Sequence, residues 1–175
     1  MHQLEMKKLL DRIIEAKYQE NSFFYDDPER PKPGTPASEL DLRELDVFLA
    51  KKGLKAPNDY RSFLMTYNGI RHVLSPELSL LPAAAVLTAK ANVIQELAEE
   101  FPSCADFVIG AGSTPEFVAF DINAVSAEGD FEVVWISGDM NEWRSKSFRE
   151  FLERYLAILE SRVFKERKDR ENLKP

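Results

Sequence analysis

Apolar residues recur along this chain with two different periods, and the change from one to the other divides it. Leu9, Leu10, Ile13, Ile14 and Tyr18 fall at helical spacing and predict a first amphipathic helix from about Leu4 to Tyr18. From Asn21 to Ala37 the pattern breaks. Pro28, Pro31, Pro33, Gly34 and Pro36 predict an extended or irregular connector there. Phe23, Phe24 and Tyr25 lie at its start. Pinning the connector to the core is the simpler use for them, and a partner-facing aromatic patch is the alternative. Ser38 with Asp41 marks a capped helix start, Leu42, Leu45, Phe48 and Leu49 an inner face, and Gly53 a stop. Pro57 to Gly69 then holds a whole helix: proline in the first turn, an apolar stripe of Tyr60, Phe63, Leu64 and Tyr67, and Asn68-Gly69 to end it. Pro82 to Glu100 also reads helical, with Val86, Leu87, Val93, Ile94 and Leu97 inward.

The period then drops to two. Phe107–Ala111, Glu116–Asp121 and Phe131–Ile136 are short, rich in β-branched and aromatic residues, and separated by turn residues; Leu78–Leu81 and Glu142–Ser145 are further strand candidates. Ser147 and Glu150 form a capping-box pair before a last helix with Phe148, Phe151, Leu152, Tyr155, Leu159 and Val163 as its stripe. Beyond it the charged run Lys165 to Glu171 predicts a solvated, fraying end. Helices, a strand cluster, then a helix predict an α+β fold, its mixed or antiparallel sheet having about four to six strands packed with helices. The divisions expected are a helix and Pro-rich connector over 1–37, a domain over 38–161 and a charged end over 162–175.

Composition narrows the class. A chain of 175 residues with 44% apolar content and 12 Phe supports one globular domain rather than disorder. Its one cysteine, Cys104, excludes an internal disulfide framework and favours a reducing compartment. No apolar run is long enough to span a bilayer, and the N-terminus lacks a signal-peptide pattern, so a soluble cytoplasmic protein is expected.

Charge changes the picture more. The net charge is −7, but from Ala91 to Trp143 there is no Lys or Arg. That stretch holds Glu96, Glu99, Glu100, Asp106, Glu116, Asp121, Glu128, Asp130, Glu132, Asp139 and Glu142. Such a field repels nucleic acid and attracts basic partners. Simple solvation of a surface is the alternative.

Candidate chemistry is sparse. Gly110-Ala111-Gly112-Ser113-Thr114-Pro115 has neither the third glycine and following helix of a dinucleotide loop nor the lysine of a P-loop, so it reads as a hairpin turn. His2, His72 and Cys104 are too scattered for a zinc site. Cys104 as a nucleophile would need His72 as its base; a buried thiol is the simpler reading. Asp121, Asn123 and Glu128 lack EF-hand spacing. No catalytic residue, cofactor or metal is expected.

Three blocks carry a family resemblance. Pro57-Asn58-Asp59-Tyr60-Arg61-Ser62-Phe63-Leu64 followed by Asn68-Gly69, then Phe107–Gly110 with Glu116–Asp121, then Ser147-Phe148-Arg149-Glu150-Phe151-Leu152, occur in one order. Together they resemble the SUKH superfamily, the Smi/Knr-type domains of bacterial toxin-immunity proteins and fungal regulators. The resemblance implies a non-catalytic protein-binding domain of a toxin–antitoxin or polymorphic toxin system, one that neutralises a cognate toxin, often a nuclease. A fungal-type regulatory or scaffold domain is the rival, and a small-molecule enzyme a distant third. A toxin with a basic surface is the implied partner. From charge clustering, and not from any family motif, the expected interface is Glu116, Asp121, Glu128, Asp130, Glu132, Asp139 and Glu142, with Trp143 as an apolar anchor.

Overall fold

The computed structural model describes residues 2–89, 99–137 and 141–173. Val93, Ile94 and Leu97 of the expected helix over Pro82 to Glu100 lie outside the described residues, as does Asp139. Seven strands form one sheet: β1 Lys32–Pro33, β2 Ile70–Ser75, β3 Leu78–Leu80, β4 Val108–Gly112, β5 Phe117–Val125, β6 Phe131–Ile136 and β7 Glu142–Ser145. They lie side by side in chain order and every pairing is antiparallel, including the hairpin formed around Gly110–Pro115. The count exceeds expectation because β1 comes from the supposedly irregular connector. Pro33 pairs with Ile70 and Lys32 with Arg71 at the sheet edge, where a residue without an N–H is tolerated.

The described helices are α1 His2–Phe24, α2 Glu39–Ala50, α3 Asn58–Thr66, α4 Ala83–Val86, α5 Pro102–Ala105 and α6 Phe148–Asn172. Two are longer than periodicity predicts, for a shared reason. α1 and α6 run parallel, and their polar ends partner each other. Glu5 meets Arg149 at 3.4 Å, Arg12 meets Glu160 at 2.6 Å and Gln19 meets Arg167 at 2.8 Å. Glu20 is buried between Lys17 (2.5 Å) and Arg162 (3.0 Å). Arg170 donates to the Phe23 carbonyl and lies over its ring. α6 therefore continues past Val163 to Asn172. Phe24 and Tyr25 are 63% and 52% exposed, so they do not pin the connector.

The helix starts follow the sequence closely. Ser38 and Asp41 make the reciprocal capping box of α2. Ser147 accepts the Glu150 N–H at 3.2 Å, but the Glu150 carboxylate takes the Lys146 N–H at 3.0 Å, one residue upstream of the expected partner. α3 ends at Thr66, with Tyr67 already extended, so Asn68-Gly69 has another task. The Asn68 Oδ1 accepts the Ala83 N–H at 2.7 Å and starts α4. Gly69, at φ 88°, passes so close to Pro82 that a Cβ would lie 2.8 Å from its nitrogen.

The sheet has an inner face, against α1, α3 and α6, and an outer face. Tyr60 stands at the centre of the inner side, with ring centroids of Phe63, Phe107, Phe120 and Phe148 at 5.8, 5.8, 5.3 and 5.2 Å. The outer face carries a smaller cluster of Val108, Phe117, Ala119, Val134 and Ile136, partly covered by Cys104 of α5 and by Ala89. No described helix is long and apolar enough to cross a membrane.

Candidate functional site on the outer sheet face

Strand alternation decides which acids meet. Phe117 and Ala119 point outward, so Asp121 does too. Asp121 is paired in register with Glu132, and Val134 with Arg144. Asp121, Glu132, Glu142 and Arg144 therefore converge on the outer face. Arg144 Nη1 lies 2.9 Å from Asp121 Oδ2 and 3.1 Å from Glu132 Oε2, and its Nε lies 2.8 Å from Glu142 Oε2. One guanidinium holds three carboxylates.

The surroundings set the protonation of the group. Burial pushes the Asp121 carboxyl up, but the hydrogen bonds from Arg144, the Ser103 hydroxyl and the Asn123 N–H outweigh it and hold it below the ordinary carboxylate value. Arg144 is raised above its ordinary value, chiefly by its bond to Asp121. Next to them the Cys104 thiol is pushed up to about 11, first by burial and then by the field of Asp121. It is a buried, protonated thiol.

The other expected residues lie elsewhere. Glu128 and Asp130 sit in the β5–β6 turn, where Ser126 Oγ accepts both their N–H groups at 3.2 Å. Burial, then Asp59 and Glu128, push the Asp130 carboxyl up. Glu116 is half-buried at the other end of β5. Trp143 requires a correction. It stands between Glu142 and Arg144, so the pleat turns it to the inner face. There it packs on Trp135 and Phe151, with centroids at 5.8 and 5.4 Å, under the Arg154 guanidinium at 5.0 Å. It shares no surface with the acids beside it. Arg144 was missed because the base-free stretch ends one residue before it, and only strand register brings it back among the acids.

Comparison with known proteins fits this architecture. The sequence model of the SMI1 / KNR4 family (SUKH-1) matches residues 36–154. The chain belongs to the SMI1 / KNR4 family. The match takes in α2 to β7 and the first turns of α6, leaving out α1, β1 and the rest of α6. The parallel α1–α6 pair is therefore built largely from residues outside the family region. No curated protein matches the chain.

Proposed function

We propose that this SMI1 / KNR4 domain is a non-catalytic binding module for a basic protein surface, and that it serves as an immunity protein against a cognate toxin, of nuclease type. One observation carries the reading: the outer face gathers three carboxylates around one guanidinium and keeps Glu132 and Glu142 at 38% and 36% side-chain exposure. The group retains a net negative charge after Arg144 is counted. Glu128 is a further exposed acid, set apart from this group on the β5–β6 turn. A nuclease holds phosphates with cations, so an acidic plate can occupy the same ground. Complementary fields then speed encounter, toward about 10⁸–10⁹ M⁻¹s⁻¹ in the best cases.

The test is association kinetics with the toxin encoded by the neighbouring gene. Glu128→Lys with Glu132→Lys and Glu142→Lys should slow association, and salt should slow the wild-type protein in the same direction. The Debye length shrinks from about 10 Å at 0.1 M to about 3 Å at 1 M. A folded triple-Lys protein that associates as fast as wild type across that range, and protects cells as well, would overturn the reading.

A further inference from the structure

At the β1–β3 end, far along the sheet from Arg144, lies a cleft of about 530 Å³ between β1, the α3–β2 junction and the β3–α4 turn. Glycine keeps its walls together. A Cβ on Gly34 would lie 2.4 Å from the Asn68 carbonyl oxygen, so β1 can rest against the junction only without one. Lys32 and Arg71 are register partners and share a face; Arg71 follows inward-facing Ile70, so that face is the outer one. His72 comes next, at φ 57°, the one non-glycine residue with positive φ among those described. Strain of this kind persists only where the surrounding structure over-determines it. The register of β2 against β3 shifts here, and the His72 N–H reaches Ser79 Oγ at 3.0 Å.

The hydrogen-bonding capacity left in the cleft is mostly of one kind. Among the described residues neither Lys32 nor Arg71 has an ion-pair partner, although the chain carries a net charge of −7. Ser79 Oγ accepts from His72 and keeps its own proton to donate. Asn68 spends its oxygen on Ala83 and keeps its NH₂. His72 is already engaged: its Nδ1 lies 2.5 Å from the Pro76 carbonyl oxygen and its Nε2 lies 3.9 Å from the Glu29 carboxylate. Pro33, Leu81 and Pro82 add an apolar strip.

We propose that this cleft is a carboxylate-binding pocket. Arg71 and Lys32 supply the countercharge, Ser79 and Asn68 supply neutral donors, and the apolar strip packs the aliphatic body that bears the carboxylate. That strip, and the absence of a nest of free backbone N–H groups among the cleft's hydrogen bonds, favour a carboxylate on a hydrocarbon stem over a bare phosphate. An acidic side chain of a protein partner and a free organic acid present the same chemistry. The proposal does not depend on the acidic group around Arg144, and its test needs no partner protein.

The experiment is a ¹⁵N–¹H correlation titration of the whole chain. The probes are glutarate, an N-acetylated and C-amidated tetraglutamate peptide, inorganic phosphate, and sodium chloride at matched ionic strength. Glutarate or the peptide should give saturable shifts at Gly34, Arg71, His72 and Ser79, and chloride should not. Arg71→Ala combined with Lys32→Ala should weaken that binding by about tenfold or more, since a charge-assisted hydrogen bond is worth that much. Arg71→Lys, which keeps the charge and loses the fork, should give a smaller loss. Tighter binding of the peptide assigns the pocket to a protein partner, and equal or tighter binding of glutarate assigns it to a free acid. No saturable shift with either carboxylate, tighter binding of phosphate than of both, or an undiminished affinity in the double variant would overturn the proposal.

Discussion

The two faces of the sheet solve different problems with the same strands. On the inner face Tyr60, Phe63, Phe107, Phe120, Phe148 and Phe151 are each fully buried. Most of their rings meet edge-on or tilted, while Tyr60–Phe63 and Phe148–Phe151 are stacked at 5.8 and 6.3 Å, all arrangements that aromatic quadrupoles allow. On the outer face the apolar cluster is small, and the ground beyond it belongs to Arg144 and its carboxylates at one end and to Lys32 and Arg71 at the other. The inner face is held by contact area, which is insensitive to pH and salt. The outer face is held by charges, which are not. Stability should therefore sit with the first and recognition with the second, and substitutions that separate those quantities test the division.

The largest effect should come from the inner face. Phe63 is completely buried against Tyr60 and Phe148. Phe63→Ala should lower unfolding free energy by about 3–5 kcal/mol, read from urea titrations, because a large cavity forms in a packed aromatic layer. Unchanged stability with lost partner binding would place this face in recognition instead.

Arg144→Ala is the matching test on the outer face. It leaves Asp121, whose side chain is only 9% exposed, facing Glu132 without a countercharge. The cost should be about 1–3 kcal/mol at neutral pH, toward the lower end because the Arg144 side chain is itself 40% exposed. Its pH dependence has a definite sign. Asp121 is held below its unfolded value of about 3.9, so its contribution is complete above that value and is lost as pH falls through the lower folded one. The difference between variant and wild type should thus narrow from pH 7 to pH 3. An equal difference at both would mean that Arg144 acts through packing alone.

How much of this was legible in the sequence follows the same division. The inner face was written in local periodicity. Tyr60, Phe63 and Leu64 one helical turn apart, and Phe148 to Val163 down α6, identified themselves as buried. Strands β6 and β7 have the bounds that alternation gives, Phe131–Ile136 and Glu142–Ser145. What stayed hidden depends on partners distant in sequence. The full length of α1 requires Arg162, Arg167 and Arg170, and β1 requires the edge of β2. Asp121, Glu132 and Glu142 looked like free acids because a charge count along the chain does not know which strand faces which. Arg71 gave no signal, and His72 suggested only a zinc ligand or a base for Cys104, since their significance is a bulge and a glycine-tightened wall.

Back on the inner face, Tyr60 contains a contradiction that should be measurable. Its hydroxyl is buried among rings and has no hydrogen-bond partner among the described residues. An unsatisfied buried hydroxyl carries its full desolvation cost, whereas a phenyl ring in the same place does not. Tyr60→Phe should raise stability by about 1 kcal/mol, seen as a higher urea midpoint with an unchanged slope. A loss of stability would show that the hydroxyl has a partner after all, and that the aromatic layer is not purely apolar.

The smallest effect sharpens the comparison most, because it runs against the usual sign for an acid. Burial comes first in pushing the Asp130 carboxyl up, and Asp59 and Glu128 add like charge. An acid raised on folding binds its proton more tightly in the native state, so native stability falls as pH rises through its titration. At neutral pH the ionised Asp130 is a net cost. Asp130→Asn should therefore stabilise the protein, by no more than about 0.5 kcal/mol as befits a partly exposed turn. Ser126 keeps its bond to the backbone N–H of residue 130, so the turn itself is not disturbed. The gain should disappear below about pH 4, where wild-type Asp130 is protonated in both states. Chemical denaturation of both proteins at pH 7 and pH 3.5 checks it. If Asn destabilises at neutral pH, the Asp130 carboxylate holds the turn together, and the β5–β6 turn is structural rather than a charge held in reserve for a partner.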